Sequence, residues 1–263
     1  MPICQMIFNY TFMHKIFQKK QIMRLIYNNS YVNDWDYGTS NIIKVYRNNA
    51  ICYYKVNTSG DTPRLPSGYT EVEYVENKNL ACINTGFKPN QDTRIIAEMQ
   101  TVASTSYVNH FGAGGWNEPN ALLLDYENDY NGTLHLSWGT ATGWTVVSSV
   151  RGDYNKHIYD WNKNEVYRDN TLVKTFTYGN YQAVSNLYIF TTINNGSSIP
   201  STSQVYYMKG KLYSLKIYDN GTLVRDFIPC IRDNDNKVGV FDIVNNQFYS
   251  SATNYELVAG NPV

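Results

Sequence analysis

From about Leu65 to the end, the chain is a succession of short runs in which apolar and polar residues alternate or apolar residues cluster. These include YTEVEYVE, ACINTG, TRIIAEMQ, NALLLDYE, TLHLSWG, WTVVSSV, HIYDWN, EVYRDNTLVKTFTY, NLYIFTTI, YYMKGKLYSLKIYDNGTLVRDFIP and KVGVFDIVNNQFY. Asn, Gly and Asp close nearly every run, so the pattern predicts strands joined by tight turns. Spacing of this kind predicts an all-β sandwich or barrel. No helical period interrupts it.

One frame recurs four times, at Leu25 to Val32, Lys44 to Ile51, Glu165 to Val173 and Lys216 to Val224. Each puts an apolar residue and Tyr ahead of a pair drawn from Asn, Asp and Gly, with apolar residues just after. Such pairs tolerate the left-handed backbone that a two-residue hairpin turn demands, and β-branched residues do not. The repeat is therefore a folding device. In the strand that leads into the last copy, strict alternation predicts Tyr213, Leu215 and Ile217 on one face and Lys216 and Tyr218 on the other.

Composition supports the strand reading: aromatics reach 15%, with 24 Tyr, against 17% charged residues. Tyr fits a pleated, half-buried surface. The 22 basic and 22 acidic residues cancel, which leaves no electrostatic footprint for nucleic acid or an anionic membrane. Residues 1–22 differ, being rich in Met, Phe and Ile with Lys15, Lys19 and Lys20, and read as an N-terminal extension, helical or ahead of a true start at Met23. Gln5, Asn9, His14 and Lys15 break its apolar character, so neither a signal core nor a spanning helix is expected. Residues 23–56 read as a small β-meander module, 57–64 as a linker, and 65–263 as the main domain. Cys4, Cys52, Cys82 and Cys230 form no C-x-x-C pair, so zinc and redox motifs are unsupported. Cys52 and Cys82 sit in apolar runs and read as buried thiols.

The stretch LPSGYTEVEYVENKNLACINTGFKPNQDTRI, followed much later by GKLYSLKIYDNGTLVRDFIPC and VGVFDIVNNQFY, resembles the LamG-like, concanavalin A-like jelly-roll domains of tailed-phage and prophage proteins. The resemblance covers about residues 65 to 260. It implies an antiparallel two-sheet jelly-roll sandwich preceded by a small β-rich module, with a concave face that binds glycans in many relatives. It further implies a virion protein assembled in the host cytoplasm, a head or tail fibre or decoration component. Its partners would be other virion proteins and host surface polysaccharide, and fibre proteins generally suggest a homotrimer. Two alternatives stand beside it: a carbohydrate-binding module of a bacterial surface protein, and a glycoside hydrolase.

The hydrolase reading would rest on Glu71, Glu73 and Glu76, whose spacing mimics a carboxylate trio on one strand. Their place in an opening strand favours solvated carboxylates, and a non-enzymatic role is expected. Asp125, Glu127 and Asp129 would share a face and offer oxygens to calcium, the one cofactor the pattern allows; the rival is a charged edge beside the turn at Asn131 and Gly132. Asp233 to Asn236 lacks the glycine and glutamate of a calcium loop and reads as a turn. Trp116, Trp138, Trp144 and Trp161 sit among Gly, Asn and Asp, the mix of flat apolar face and hydrogen-bonding groups that a sugar needs. Half or more should fill the core. The glycine-flanked Trp116 and Trp144, with Asn117 and Asn120, are the expected glycan platform. The histidines His14, His110, His135 and His157 show no metal spacing, and no nucleophile elbow or phosphate loop occurs.

Overall fold

The computed structural model describes residues 64–103, 107–115, 118–127, 132–139, 145–194 and 207–263, together with the backbone of five short strands before residue 56. The chain divides into two compact units, Met1–Arg64 and Leu65–Val263. In the first, β1 (Ile26–Tyr27) pairs with β2 (Ser30–Tyr31), and β3 (Trp35–Tyr37), β4 (Ile42–Arg47) and β5 (Ala50–Lys55) form an antiparallel sheet.

The second unit runs β6 (Tyr69–Glu71), β7 (Val75–Asn77), β8 (Ile83–Asn84), β9 (Thr93–Ala103), β10 (Tyr107–Ala113), β11 (Ala121–Glu127), β12 (Thr133–Gly139), β13 (Thr145–Arg151), β14 (Lys156–Asn162), β15 (Glu165–Arg168) and β16 (Thr171–Thr175). It continues with β17 (Tyr188–Ile189), β18 (Lys209–Asp219), β19 (Thr222–Arg232), β20 (Lys237–Asp242), β21 (Gln247–Ser250) and β22 (Val258–Ala259). Two antiparallel sheets result. The smaller has the order β13-β12-β11-β10-β17-β8; the larger runs β16-β15-β14-β9-β18-β19-β20-β21, with β6 on β19 and β7 between β18 and β22. Because the chain passes back and forth between the sheets, as at β9 to β10 and β13 to β14, the unit is a jelly-roll sandwich. Among the described residues there is no helix.

The turn chemistry explains the hairpins. In all four recurring segments the strands pair across two-residue connections: Tyr27 with Ser30, Arg47 with Ala50, Arg168 with Thr171, and Asp219 with Thr222. Asp169 and Asn170 have φ of 52° and 63°, and Asn220 and Gly221 have 46° and 79°, as a type I′ turn requires. Asp233 to Asn236 is the turn between β19 and β20, held by a two-point bond from Arg232 to Asp235 at 3.0 and 2.7 Å.

The main core lies between the sheets. Ile95, Ala97 and Met99 of β9 and Leu215 and Ile217 of β18 meet Leu122 and Leu124 of β11 and Leu134 and Leu136 of β12. The predicted placement of Tyr213 is corrected. The pairing of β18 with β9 slips between Leu212 and Ser214, a bulge that makes Tyr213 the extra residue. Leu212 and Leu215 both reach the core, while Tyr213 turns outward, edge-on to Tyr74 at 5.5 Å, under the Lys156 ammonium, and bonded to Gln100 at 2.7 Å.

A second bulge, at His110 in β10, turns that ring into the space between the sheets. His110 is buried, with Nδ1 3.0 Å from the Val108 carbonyl and Nε2 3.4 Å from the Thr101 hydroxyl of the opposite sheet. Tyr126 and Tyr159 pack on it at 5.2 Å. Burial pushes the imidazole down to about 4, so the neutral ring fills the site, donating to Val108 and accepting from Thr101. Cys82 and Cys230 are free buried thiols, each pushed up to about 12 by burial, which keeps them protonated and unreactive.

Candidate functional site

At one end of the sandwich the two sheets are closed by aromatic rings. Trp138 comes from near the end of β12 in the smaller sheet and Trp161 from β14 in the larger. Between them the segment after β16 inserts Phe176, stacked on Trp138 at 5.8 Å and 21° and on Trp161 at 6.0 Å and 5°. The same segment supplies Tyr178, 6.3 Å from Trp138, and Tyr181, edge-on to Trp138 at 5.2 Å. Backbone bonds hold it in place: Phe176 donates to Asn164 and Ala183 to Pro89, and Gln91 accepts from the Tyr181 N–H at 3.2 Å.

The polar atoms of these rings divide into two kinds. Trp161 Nε1 donates to the Lys163 carbonyl at 2.9 Å, and the Tyr178 hydroxyl donates to Asp92 at 2.9 Å. Trp138 Nε1 and the Tyr181 hydroxyl are buried without any hydrogen-bond partner, on residues only 7% and 5% exposed. A buried unpaired polar group costs about 1–3 kcal/mol, and here two lie on rings in contact. Burial keeps the Tyr181 phenol far above its usual range, so it is a neutral hydroxyl. Tyr178 is half exposed over Trp138, followed by Gly179, where an added Cβ would meet nothing within 4 Å. Its tether to Asp92, which also pairs with Lys163 at 3.2 Å, is a solvent-side contact.

The outer face of the smaller sheet is a second polar region. Leu122, Leu124 and Tyr126 of β11 point to the core, so Leu123 and Asp125 point away from it. Register places Asn109 opposite Asp125 and Asp125 opposite His135, with Ser137 opposite Leu123. All four polar side chains are nonetheless buried. Asp125 accepts the Val108 N–H at 3.0 Å, and Thr133 bonds His135 at 3.1 Å.

The sequence-predicted residues fall as follows. Trp116, Asn117, Trp144 and Asp129 lie outside the described residues, as does the side chain of Glu127. Asn120 is in left-handed backbone with φ of 57° just ahead of β11. Asp125 is engaged with β10 as above. Among the described residues no group of three or more His, Cys, Asp or Glu side chains is arranged to hold a metal. Glu71 ends β6, Glu73 follows it, and Glu76 sits in β7, so no single strand presents that trio; Glu73 accepts from Asn261 and Glu76 lies 3.9 Å from Lys78. Trp138 and Trp161, the two Trp not assigned to the expected platform, are buried. What the sequence reading missed is TFTYGNYQA, residues 175–183. Its aromatics around a Gly-Asn pair carry the same signal that singled out Trp116 and Trp144, in Tyr and Phe rather than Trp.

No family model matches the chain, and no curated protein matches it significantly. Among solved structures it is similar to a native heptameric SAP-like pentraxin from Limulus polyphemus, at 9% identity and a TM-score of 0.42 over 73% of this chain and 95% of that chain.

Proposed function

We propose that the Leu65–Val263 sandwich is a non-catalytic carbohydrate-binding domain and that the chain is a phage virion protein, a fibre or decoration component that touches host glycans. The observation that carries the binding reading is the pair of buried, unpartnered groups on Trp138 and Tyr181, set among stacked aromatic rings at one end of the sandwich. Aromatic faces with a few polar groups awaiting partners are what a sugar ring needs. The virion assignment rests on the sequence resemblance at residues 65–95 and 210–249. In this reading the first unit attaches the domain to neighbouring virion proteins, in a particle assembled in the host cytoplasm.

The test is calorimetric titration of the full chain with capsular polysaccharides and oligosaccharides from gut-bacterial hosts, repeated with Trp138→Ala shown to be folded by circular dichroism. Saturable heat that the variant loses is expected, and the same incubations should release no reducing sugar. A silent panel sinks the glycan reading; sugar release sinks the non-catalytic one. Antibody to the chain should label purified particles, and unlabelled particles would remove the virion assignment.

A further inference from the structure

Resting on that reading, we infer that the aromatic end of the sandwich selects sugars that carry an acetamido group, and that Trp138 and Tyr181 are the residues that read it. Trp138 Nε1 can only donate a hydrogen bond, and the Tyr181 hydroxyl is a neutral donor; neither finds an acceptor in the chain. The rings are in edge contact, with centroids 5.2 Å apart, and Phe176 stacks on Trp138, so both donors belong to one apolar cluster. A group that satisfies both must bring an acceptor oxygen with two lone pairs and an apolar flank, which describes the carbonyl and methyl of an acetamido group. A plain sugar hydroxyl fits less well, because it carries in its own hydrogen and the ring walls offer that hydrogen little to bond.

Charge around the site argues for a neutral ligand. Lys163 is paired with Asp92, and Lys174 meets the cluster through the face of Phe176 at 5.5 Å, so a buried anion would be poorly compensated. Tyr178 stands on the solvent side of the cluster. Its ring is half exposed and lies against Trp138, and its hydroxyl bond to Asp92 can be exchanged for water without leaving a buried group unpaired.

The experiment compares chitotriose with cellotriose, which share linkage and ring and differ at C2 by acetamido against hydroxyl, in titrations of the full chain, Tyr181→Phe and Trp138→Phe. Chitotriose is expected to bind at least about tenfold tighter than cellotriose, and each variant to lose about tenfold of the chitotriose affinity and little of any cellotriose affinity, one hydrogen bond's worth in each case. Tyr181→Phe keeps the ring, so it guards against a packing defect in Trp138→Phe. Equal binding of the two sugars overturns the acetamido inference and leaves the glycan reading standing. Chitotriose binding that both variants retain places the site elsewhere and also overturns it. Failure of these sugars and of the whole host panel overturns both together.

Discussion

In β9 buried and half-buried residues alternate without a break from Thr93 to Gln100, whereas in β12 six consecutive residues, Leu134 to Gly139, are all buried, and in β11 so are Ala121 to Tyr126. Around β9 the larger sheet thus has one wet face, carrying Arg94, Glu98 and Lys156 in ion pairs, while β11 and β12 of the smaller sheet have two dry ones, as do β19 and β20 of the larger, where Phe227 and Val240 face the main core and Ile228, Cys230 and Phe241 a separate cluster. A second apolar cluster of Leu80, Cys82, Tyr188, Ile193 and Tyr207 lies on the smaller sheet's outer side, since Ile83 and Ile189, the neighbours of Cys82 and Tyr188, belong to the main core. The difference shows what each kind of strand asks of its sequence. A one-sided sheet needs only alternation, while a two-sided one must also satisfy every polar group it buries.

The sharpest way to break this comparison is a pair of paired truncations. In the larger sheet, Ile95→Ala should cost about 2–5 kcal/mol and its neighbour Ile96→Ala about 1, because only Ile95 is fully buried. In the smaller sheet, Leu124→Ala and Leu123→Ala should both cost about 2–5 kcal/mol. Leu123 packs so closely over Gly112 that a Cβ added there would lie 2.7 Å from its Cδ1. Urea midpoints measure all four; a Leu123→Ala variant as mild as Ile96→Ala would show that the outer face is not packed.

A second, comparable effect probes the space between the sheets. His110 titrates near 4 in the folded chain and near 6.5 unfolded, so the folded state disfavours the proton. Its contribution is complete above pH 6.5 and is lost as pH falls from 6.5 toward 4, by about 3 kcal/mol in all. Asp153 and Asp169, which burial would raise but the backbone N–H groups of Asn155 and Ile158 and then His157 lower, act in the same direction but further down, as pH falls through the carboxylate range. Urea midpoints of the chain should therefore decline between pH 6.5 and 4, and His110→Gln should flatten that decline. An unchanged slope in the variant would falsify the buried neutral imidazole.

The same contrast explains what the sequence disclosed. Hairpins announced themselves through Asn-Asn, Asp-Asn and Asn-Gly because positive φ at consecutive positions admits few residues. In the larger sheet β9 and β18 were legible by alternation, apart from the bulge at Tyr213, which no local signal marks. β10 was missed altogether. Its YVNHFGA puts Asn109 and His110 in mid-strand, and the bulge at His110 breaks the period, so it imitates a loop although both residues are buried. The aromatic end was legible only in part. Trp138 drew notice as a residue type, but that its Nε1 and the Tyr181 hydroxyl lie buried and unpaired is a property of tertiary packing between β12 and a segment more than thirty residues later.

The smallest effect carries the comparison to the aromatic end itself. On the smaller sheet's outer face, Asp125 and His135 are buried and hydrogen-bonded, so removing such a group leaves a partner stranded and destabilises. Tyr181 is the opposite case: its hydroxyl has no partner to strand. Replacing it by Phe removes a desolvated group and keeps the ring against Trp138, so Tyr181→Phe should raise stability by about 1 kcal/mol, a gain of a few degrees in Tm in a thermal melt of the ligand-free chain. A loss of stability instead would mean that the hydroxyl is paired in solution, and with it would go the reason to read this end of the sandwich as a site. A gain, in the same variant that weakens sugar binding, would mark a group that the fold keeps at its own expense, and groups of that kind are kept for a ligand.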